Sequence, residues 1–366
     1  MIRKLELLAD EARAWCESRD NDLEEPLRFA GSDATLVRSA LQKAIRRGHG
    51  EDAARLALAL YSRRGAYAIR SLLTISLEDV GFGAPEALLW CTAAKSAWFR
   101  EQVGPRRFLV AVARHLAHAP KTRAACDLSF VGDLSNRDRF QGCSQLRCLD
   151  LIDQLQGPDP YEAYVAAALL AGTVPRGIRK PRVSYADLQL TAEAITGGLS
   201  TRLGRAAAAT FLSPLDNMSA ATPVTFMIAQ RVGDVEVDGG SPATLGTVGG
   251  FCSEALDQHV PLGRAALDRF ADELRAASPQ AICGSAAGFA RQVGDAVFLE
   301  EGQRLRSQVR CAALDKLQRA ADDLTLERYG LTSRAAQLLR AQVRDALPRL
   351  HEIRLQLTCQ RQPPVS

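Results

Sequence analysis

The stretch SLEDVGFGAP, residues 76–85, closes an apolar run with two adjacent carboxylates, Glu78 and Asp79, and follows them with two glycines and a proline. Gly81 and Gly83 suit the end of a helix and the turn beyond it. Pro85 suits the first turn of the next helix, where its missing N–H leaves no bond unmade. A helical corner is expected here. Adjacent side chains on an α-helix point about 100° apart, so the two acids are expected to diverge, which disfavours a catalytic dyad or a metal clamp. Acids at a helix C-terminus oppose the macrodipole and call for cations close by. Lys43, Arg46 and Arg70 can supply them if the neighbouring helices pack as a bundle, giving with Glu78 and Asp79 a structural ion-pair network.

Outward from this corner, apolar residues recur at three- and four-residue spacing from Ala34 to about Ala125, as in Val37, Leu41 and Ile45 or Leu109, Val112 and Leu116. Glycines and prolines near 48–50, 65, 81–85, 104–105 and 120 divide this region into short helices. Residues 134–184 read as a linker ending in a basic connector, with QGPDP at 156–160 and VPRGIRKPR at 174–182. A second helical region is expected over 185–366, with Pro348 bending or interrupting its last helix. Residues 232–250 hold six glycines and alternating valines, the composition of a small hairpin or loop. The expected fold is all-α, as multi-helix bundles with a Gly-rich insertion. Its expected divisions are 1–32 (an N-terminal extension), 33–133, 134–184 and 185–366.

The chain has 366 residues, 47% hydrophobic and 24% charged, enough for two or three cores and unlike a disordered protein. Its formal charge is +4, and lysine occurs only at positions 4, 43, 95, 121, 180 and 316, arginine supplying the rest. The first residues, MIRKLELLADEARAW, lack the apolar core of a signal peptide, and no run approaches the roughly 20 apolar residues of a membrane span, so a cytoplasmic protein is expected. Nine cysteines with no C-x-x-C read as reduced thiols.

Arg176, Arg179, Lys180 and Arg182 place four positive charges in seven residues beside Pro175 and Pro181, with Tyr185 just beyond. Such a segment can follow a nucleic-acid backbone, single- or double-stranded, while the tyrosine stacks on a base; a solvated basic loop is the plain alternative. Glu254 and Asp257, read as an i,i+3 pair on one helix with His259 at its end, are the best candidates for an acid, base or metal site. The same residues also fit a helix start, with Ser253 as the cap and the acids complementing the dipole. His115 and His118 lie three apart on one helix, but no carboxylate or cysteine joins them in sequence, which suits a surface pair. The glycines at 239–250 lack dinucleotide-binding spacing, and the phosphate-loop pattern G-x-x-x-x-G-K-[ST] occurs nowhere, so no cofactor, no metal and no ATP hydrolysis are expected.

Taken in order, LVRSALQKAIRRG (36–48), YAIRSLLTISLEDVGFGAPEAL (67–88) and ARHLAHAPKTRA (113–124) give the segment 33–133 a further reading. It resembles the C-terminal helical region of the RarA/MgsA/Werner-helicase-interacting-protein family of AAA+ ATPases, relatives of clamp loaders that act at stalled replication forks. The likeness rests on Ser39, Ala40, Leu41, Lys43 and Arg46, on Ile69 and Arg70, on Glu78, Asp79, Val80, Gly81 and Pro85, and on Ala119, Pro120 and Lys121. It covers somewhat over a quarter of the chain. The family's ATPase module lies upstream of this region, where here only about 32 residues stand. The resemblance therefore implies a collar or oligomerisation domain without its motor. The function expected from it is that of an accessory protein in DNA replication, recombination or repair, a homo-oligomer that meets DNA and other replication or repair proteins. A module that binds and modulates an AAA+ ATPase, and an enzyme using Glu254, Asp257 and His259, are the alternatives.

Overall fold

The computed structural model describes residues 2–19, 33–233, 235–240, 247–248, 251–277 and 286–360. Eighteen α-helices and four strands of two or three residues make these residues predominantly all-α. Helix α1 (Ile2–Glu17) lies against α6 (Ala97–Val103) and α7 (Pro105–His118). Between them, α2 (Ala34–Arg47), α3 (Gly50–Arg64), α4 (Ala66–Ile75) and α5 (Pro85–Ala93) follow the expected periodicity. Asp33 caps α2, accepting from the Thr35 N–H at 3.2 Å, and Gly48 closes it in the left-handed region at φ 79°.

The corner departs from an ordinary helix end. After α4 the helix widens into a π turn over Ser76–Val80, and a 3₁₀ turn over Gly81–Gly83 leads to Pro85 at the start of α5. Two glycines make this path possible. Gly81 sits at φ 54°, where an L side chain would be strained, and a Cβ on Gly83 would lie 2.0 Å from the Pro120 carbonyl oxygen.

The segment 134–184, expected as a linker, carries three helices: α9 (Arg137–Cys143), α10 (Cys148–Leu155) and α11 (Pro160–Ala171). Residues 163–170 of α11 are all buried, so the helix is apolar on every side and presents no 3.6-residue stripe to reveal it. It packs against α8 (Ala124–Ser135) and α14 (Asn217–Val232), while α12 (Tyr185–Gly197) and α13 (Thr201–Leu212) complete this part. One apolar core runs from Ala9 to Ala321 and draws on residues of all four expected divisions.

A second core joins α15 (Pro261–Ala277), α16 (Ala286–Val297), α17 (Ala312–Glu327) and α18 (Ser333–Cys359). Helical periodicity in the sequence suggests helix from residue 251, but Ser253–Ala255 is a single 3₁₀ turn and α15 starts only at Pro261. The helix α18 is not interrupted at Pro348, because Leu347, Leu350 and Ile353 are all buried in this core and hold the chain on both sides of the lost N–H. In the Gly-rich insertion, β1 (Glu236–Asp238) pairs antiparallel with the distant β4 (Gln308–Arg310), and β2 (Thr247–Val248) pairs antiparallel with β3 (Phe251–Cys252). Residues 234, 241–246, 249 and 250 of that insertion lie outside the described residues.

A second π turn, Phe298–Gly302, follows α16 just as the first follows α4. The two stretches share a short pattern: Leu77, Glu78 and Asp79 match Leu299, Glu300 and Glu301, preceded in each case by an aromatic-Ala pair ten residues before the leucine, Tyr67-Ala68 and Phe289-Ala290. Reading the sequence for repeats of 20 to 50 residues does not bring the two together, because they lie more than 200 residues apart.

Candidate functional site

Helix α2 organises the centre of the molecule. Val37, Ala40, Leu41, Ala44 and Ile45 point into the first core, which leaves Ser39, Gln42, Lys43, Arg46 and Arg47 on the opposite, polar side. An amphipathic helix ordinarily turns such a face to water. Here the chain around 251–260, the second π turn and α18 cover it, so that Lys43, Arg46 and Arg47 are each no more than 2% exposed. Charges at this depth persist only when paired and hydrogen-bonded.

The acids that pair with them come from separate parts of the sequence. Arg46 donates from Nε to Asp79 Oδ1 at 2.9 Å, and its Nη2 lies 2.8 Å from the same oxygen and 3.2 Å from Glu78 Oε1. Arg123 reaches both acids from Nη1, at 3.1 and 3.4 Å, and Gln42 Nε2 donates to both, at 2.8 and 3.0 Å. Burial pushes the Asp79 carboxyl up, but Arg46 and Arg123, with the hydrogen bonds from Arg46 and Gln42, hold it below the usual carboxylate range. The expected divergence of Glu78 and Asp79 is thus corrected: they converge on the same three donors. The two acids lie in a π turn, with its i to i+5 bonds, and they meet because Arg46, Arg123 and Gln42 each reach both carboxylates. The expected network is corrected in two further respects. Arg70 is exposed and touches neither acid, and Arg123, just after Pro120, takes the place assigned to it. Lys43 belongs to a different pair, 3.0 Å from Asp257.

That pair brings in the candidates from the other end of the chain. Asp257 also accepts from Ser39 Oγ at 2.9 Å; burial raises its carboxyl, but the charge and hydrogen bond of Lys43 together with the His259 N–H bring it down to about 2. Glu254 is 1% exposed and 3.4 Å from Arg47 Nη2. The two acids do not share a helical face, since Glu254 is in the 3₁₀ turn and Asp257 lies beyond it; they meet through α2 instead. Ser253 caps no helix, and its hydroxyl is buried without a partner. His259 is exposed, its backbone N–H donating to Asp257 Oδ1.

The second π turn closes the arrangement. Arg46 Nη1 donates to the Gly302 carbonyl, Arg47 donates to the carbonyls of Glu301 and Arg304, and the Arg306 N–H donates to the Arg46 carbonyl. The Phe298 ring lies 5.8 Å from the Arg46 guanidinium and 5.1 Å from that of Arg123, within cation–π range of both. Arg354, fully buried on α18, donates to both oxygens of Glu301 at 2.8 and 3.1 Å, and Glu300 accepts from Arg340 and Arg344, each at 2.7 Å. Each acidic corner therefore has its own arginines, and Arg46 bonds to both corners. Sequence reasoning missed Gln42, Arg47, Arg123, Glu300, Glu301 and Arg354; the repeated Leu-Glu-acid triplet is the signal that marks the second corner.

The basic connector lies elsewhere. After α11 the chain runs without regular structure from 173 to 184, anchored by the buried Ile178, by Arg137 Nη2 donating to the Arg176 carbonyl at 3.4 Å, and by Cys148 Sγ against the Arg182 carbonyl at 3.7 Å. Arg176, Arg179, Lys180 and Arg182 are all exposed, and none forms an ion pair among the described residues. Ser184 and Asp187 form a capping box at the start of α12, which fixes Tyr185 at the first helical position with 74% of its surface exposed.

His115 and His118 do not form a pair. His115 packs edge-on to Trp15 at 5.3 Å while His118 is exposed; burial, then the Arg19 charge, lowers the His115 imidazole to about 4. Among the described residues no three His, Cys, Asp or Glu side chains converge as metal ligands, and no helix is long and apolar enough to cross a membrane. Comparison of the chain with known protein families, curated proteins and solved structures finds no match.

Proposed function

We propose that this chain is a non-enzymatic accessory protein of DNA replication, recombination or repair. On this reading the helical region 33–133 serves for docking or self-association, and the connector Arg176–Tyr185 contacts nucleic acid. One observation carries the reading: the four cations of the connector are clustered, exposed and without an ion pair among the described residues, on an anchored backbone close in sequence to an exposed aromatic ring. Unpaired surface guanidinium and ammonium groups can neutralise phosphates without first breaking a protein ion pair. Tyr185 offers a π-face at the end of that track, as base stacking requires.

The enzymatic alternative draws less support, because Glu254 and Asp257 are committed to Arg47 and Lys43. The reading as a protein-interaction module predicts no nucleic-acid binding at all, which separates it from the present one. Anisotropy titrations of labelled single-stranded and duplex oligonucleotides, together with the solution mass with and without DNA, test the proposal. Micromolar or tighter binding with a negative salt dependence is expected; no binding at 50 mM salt would transfer the function to protein partners.

A further inference from the structure

The basic connector does not run straight. The Ile178 N–H donates to the Pro175 carbonyl at 3.2 Å and Gly177 sits at φ 87°, a β-turn whose third residue takes the left-handed region. The buried Ile178 pins this turn from inside. From outside it is held by Arg137 of α9, whose Nη2 donates to the Arg176 carbonyl. Arg137 is itself exposed and has no ion pair among the described residues, so a fifth cation stands at this end of the connector. The other end is apolar. Cys148, at the start of α10, meets the Arg182 carbonyl at 3.7 Å and hydrogen-bonds Asp187 in the first turn of α12, which brings the two helix starts together. Leu149, 56% exposed, follows Cys148 in α10, and the exposed Tyr185 opens α12. The acids here are engaged locally, Asp150 by Arg147 and Asp187 by the Ser184 N–H and hydroxyl.

The two forms of DNA meet such a surface differently. Duplex DNA is a stiff rod, straight over a persistence length of about 50 nm, and its base faces are stacked inside. Cations set on a fixed turn reach few of its phosphates at once, and exposed leucine and tyrosine side chains find no base face to cover. A single strand bends from one nucleotide to the next, so its phosphates can follow the turn, and its unpaired bases are free to lie on aromatic and apolar side chains.

We propose that the connector, extended by Arg137 at one end and by Leu149 with Tyr185 at the other, selects single-stranded over duplex DNA. Arg137 adds a phosphate contact, and Leu149 and Tyr185 take unpaired bases. The inference rests on the reading of the connector as a nucleic-acid contact and adds to it the form of DNA and two residues from α9 and α10. Anisotropy titrations test it, using a labelled oligothymidylate and a blunt duplex with the same number of phosphates, over a range of salt. The strand should bind about tenfold tighter than the duplex, an advantage within the worth of one stacked base. Leu149→Ser should weaken the strand about threefold, the worth of roughly one buried methylene, and leave the duplex unchanged. Arg137→Gln should lower the strand's slope of log affinity against log salt by about 0.7, while Arg137→Lys, which keeps the charge, should retain it. Equal affinity for strand and duplex would overturn the inference, and the connector reading would then stand or fall by the variant neutralised at Arg176, Arg179, Lys180 and Arg182. Binding of neither form would remove both. An equal loss of strand and duplex binding in Leu149→Ser, or an unchanged slope in Arg137→Gln, would also overturn the inference.

Discussion

Replacing Asp79 by alanine separates a buried network from a surface one. Asp79 is fully buried and receives Arg46, Arg123 and Gln42, so its removal leaves two guanidinium groups, 1% and 6% exposed, sharing the partly exposed Glu78. Breaking a buried pair from one side costs about 3 to 5 kcal/mol, because the remaining charge has lost water without regaining a full partner. Glu78→Ala leaves Asp79 in place, and since Glu78 is 20% exposed its loss should cost only about 1 kcal/mol. With a slope of about 3 kcal/mol per molar urea, Asp79→Ala should lower the unfolding midpoint by roughly 1 to 1.7 M, and Glu78→Ala by about 0.3 M. Urea unfolding followed by circular dichroism, with the slope fitted for each variant, measures both. Equal shifts for the two variants, or an Asp79→Ala shift under about 0.3 M, would refute the assignment of Asp79 as the anchor of the corner.

Other consequences can be checked separately. Gly83→Ala should destabilise by about 1 to 3 kcal/mol in the same urea assay, since its Cβ would overlap the Pro120 carbonyl and force the corner from the 119–122 segment; a neutral result would contradict the close approach. His115, its folded-state value lowered to about 4 by burial and Arg19, binds fewer protons folded than unfolded between pH 4 and 6.5, so stability should fall as the pH drops through that window. His115→Gln should flatten that part of the stability curve, and an unchanged slope would assign the loss to other groups. Tyr185→Ala should weaken single-stranded DNA binding by about 1 to 3 kcal/mol and duplex binding much less, because only an unpaired base offers a free face to the ring; equal losses would argue against stacking. Titration of ATP with magnesium should release no binding heat in the micromolar range, given that the sequence lacks the phosphate-loop lysine and its glycines.

The helical character was legible wherever one face of a helix is buried, as in α2 and α7, because apolar spacing records a boundary between core and water. It failed for α11, which has no such boundary, and at 251–260, where a helix-like pattern is used for a 3₁₀ turn. Within the charged centre, Arg46 could be paired with the corner from sequence because both lie on neighbouring helices of one bundle. Arg123 sits just beyond a proline with no periodicity to orient it, and Arg354 comes from a segment nearly 280 residues downstream of Asp79. Pairing over such separations depends on how the second core closes over α2, which no local pattern encodes. The polar face of α2 shows the difficulty: its composition is that of a solvated surface, and only the packing of distant segments turns it into a buried centre.

The central claim, contact with nucleic acid through the connector, is tested most directly by the salt dependence of DNA binding in the wild type and in a variant neutralised at Arg176, Arg179, Lys180 and Arg182. Each phosphate contact contributes about 0.7 to the slope of log affinity against log salt for single strands and about 0.9 for duplex. Four lost contacts should therefore reduce the slope by about 2.8 to 3.6, with affinity falling alike for every base sequence because backbone contacts carry no base information. The exposed positions of all four residues predict an unchanged fold, checked by the melting curve of the variant. An intact variant with wild-type affinity and wild-type slope would contradict the account and leave the connector a solvated loop.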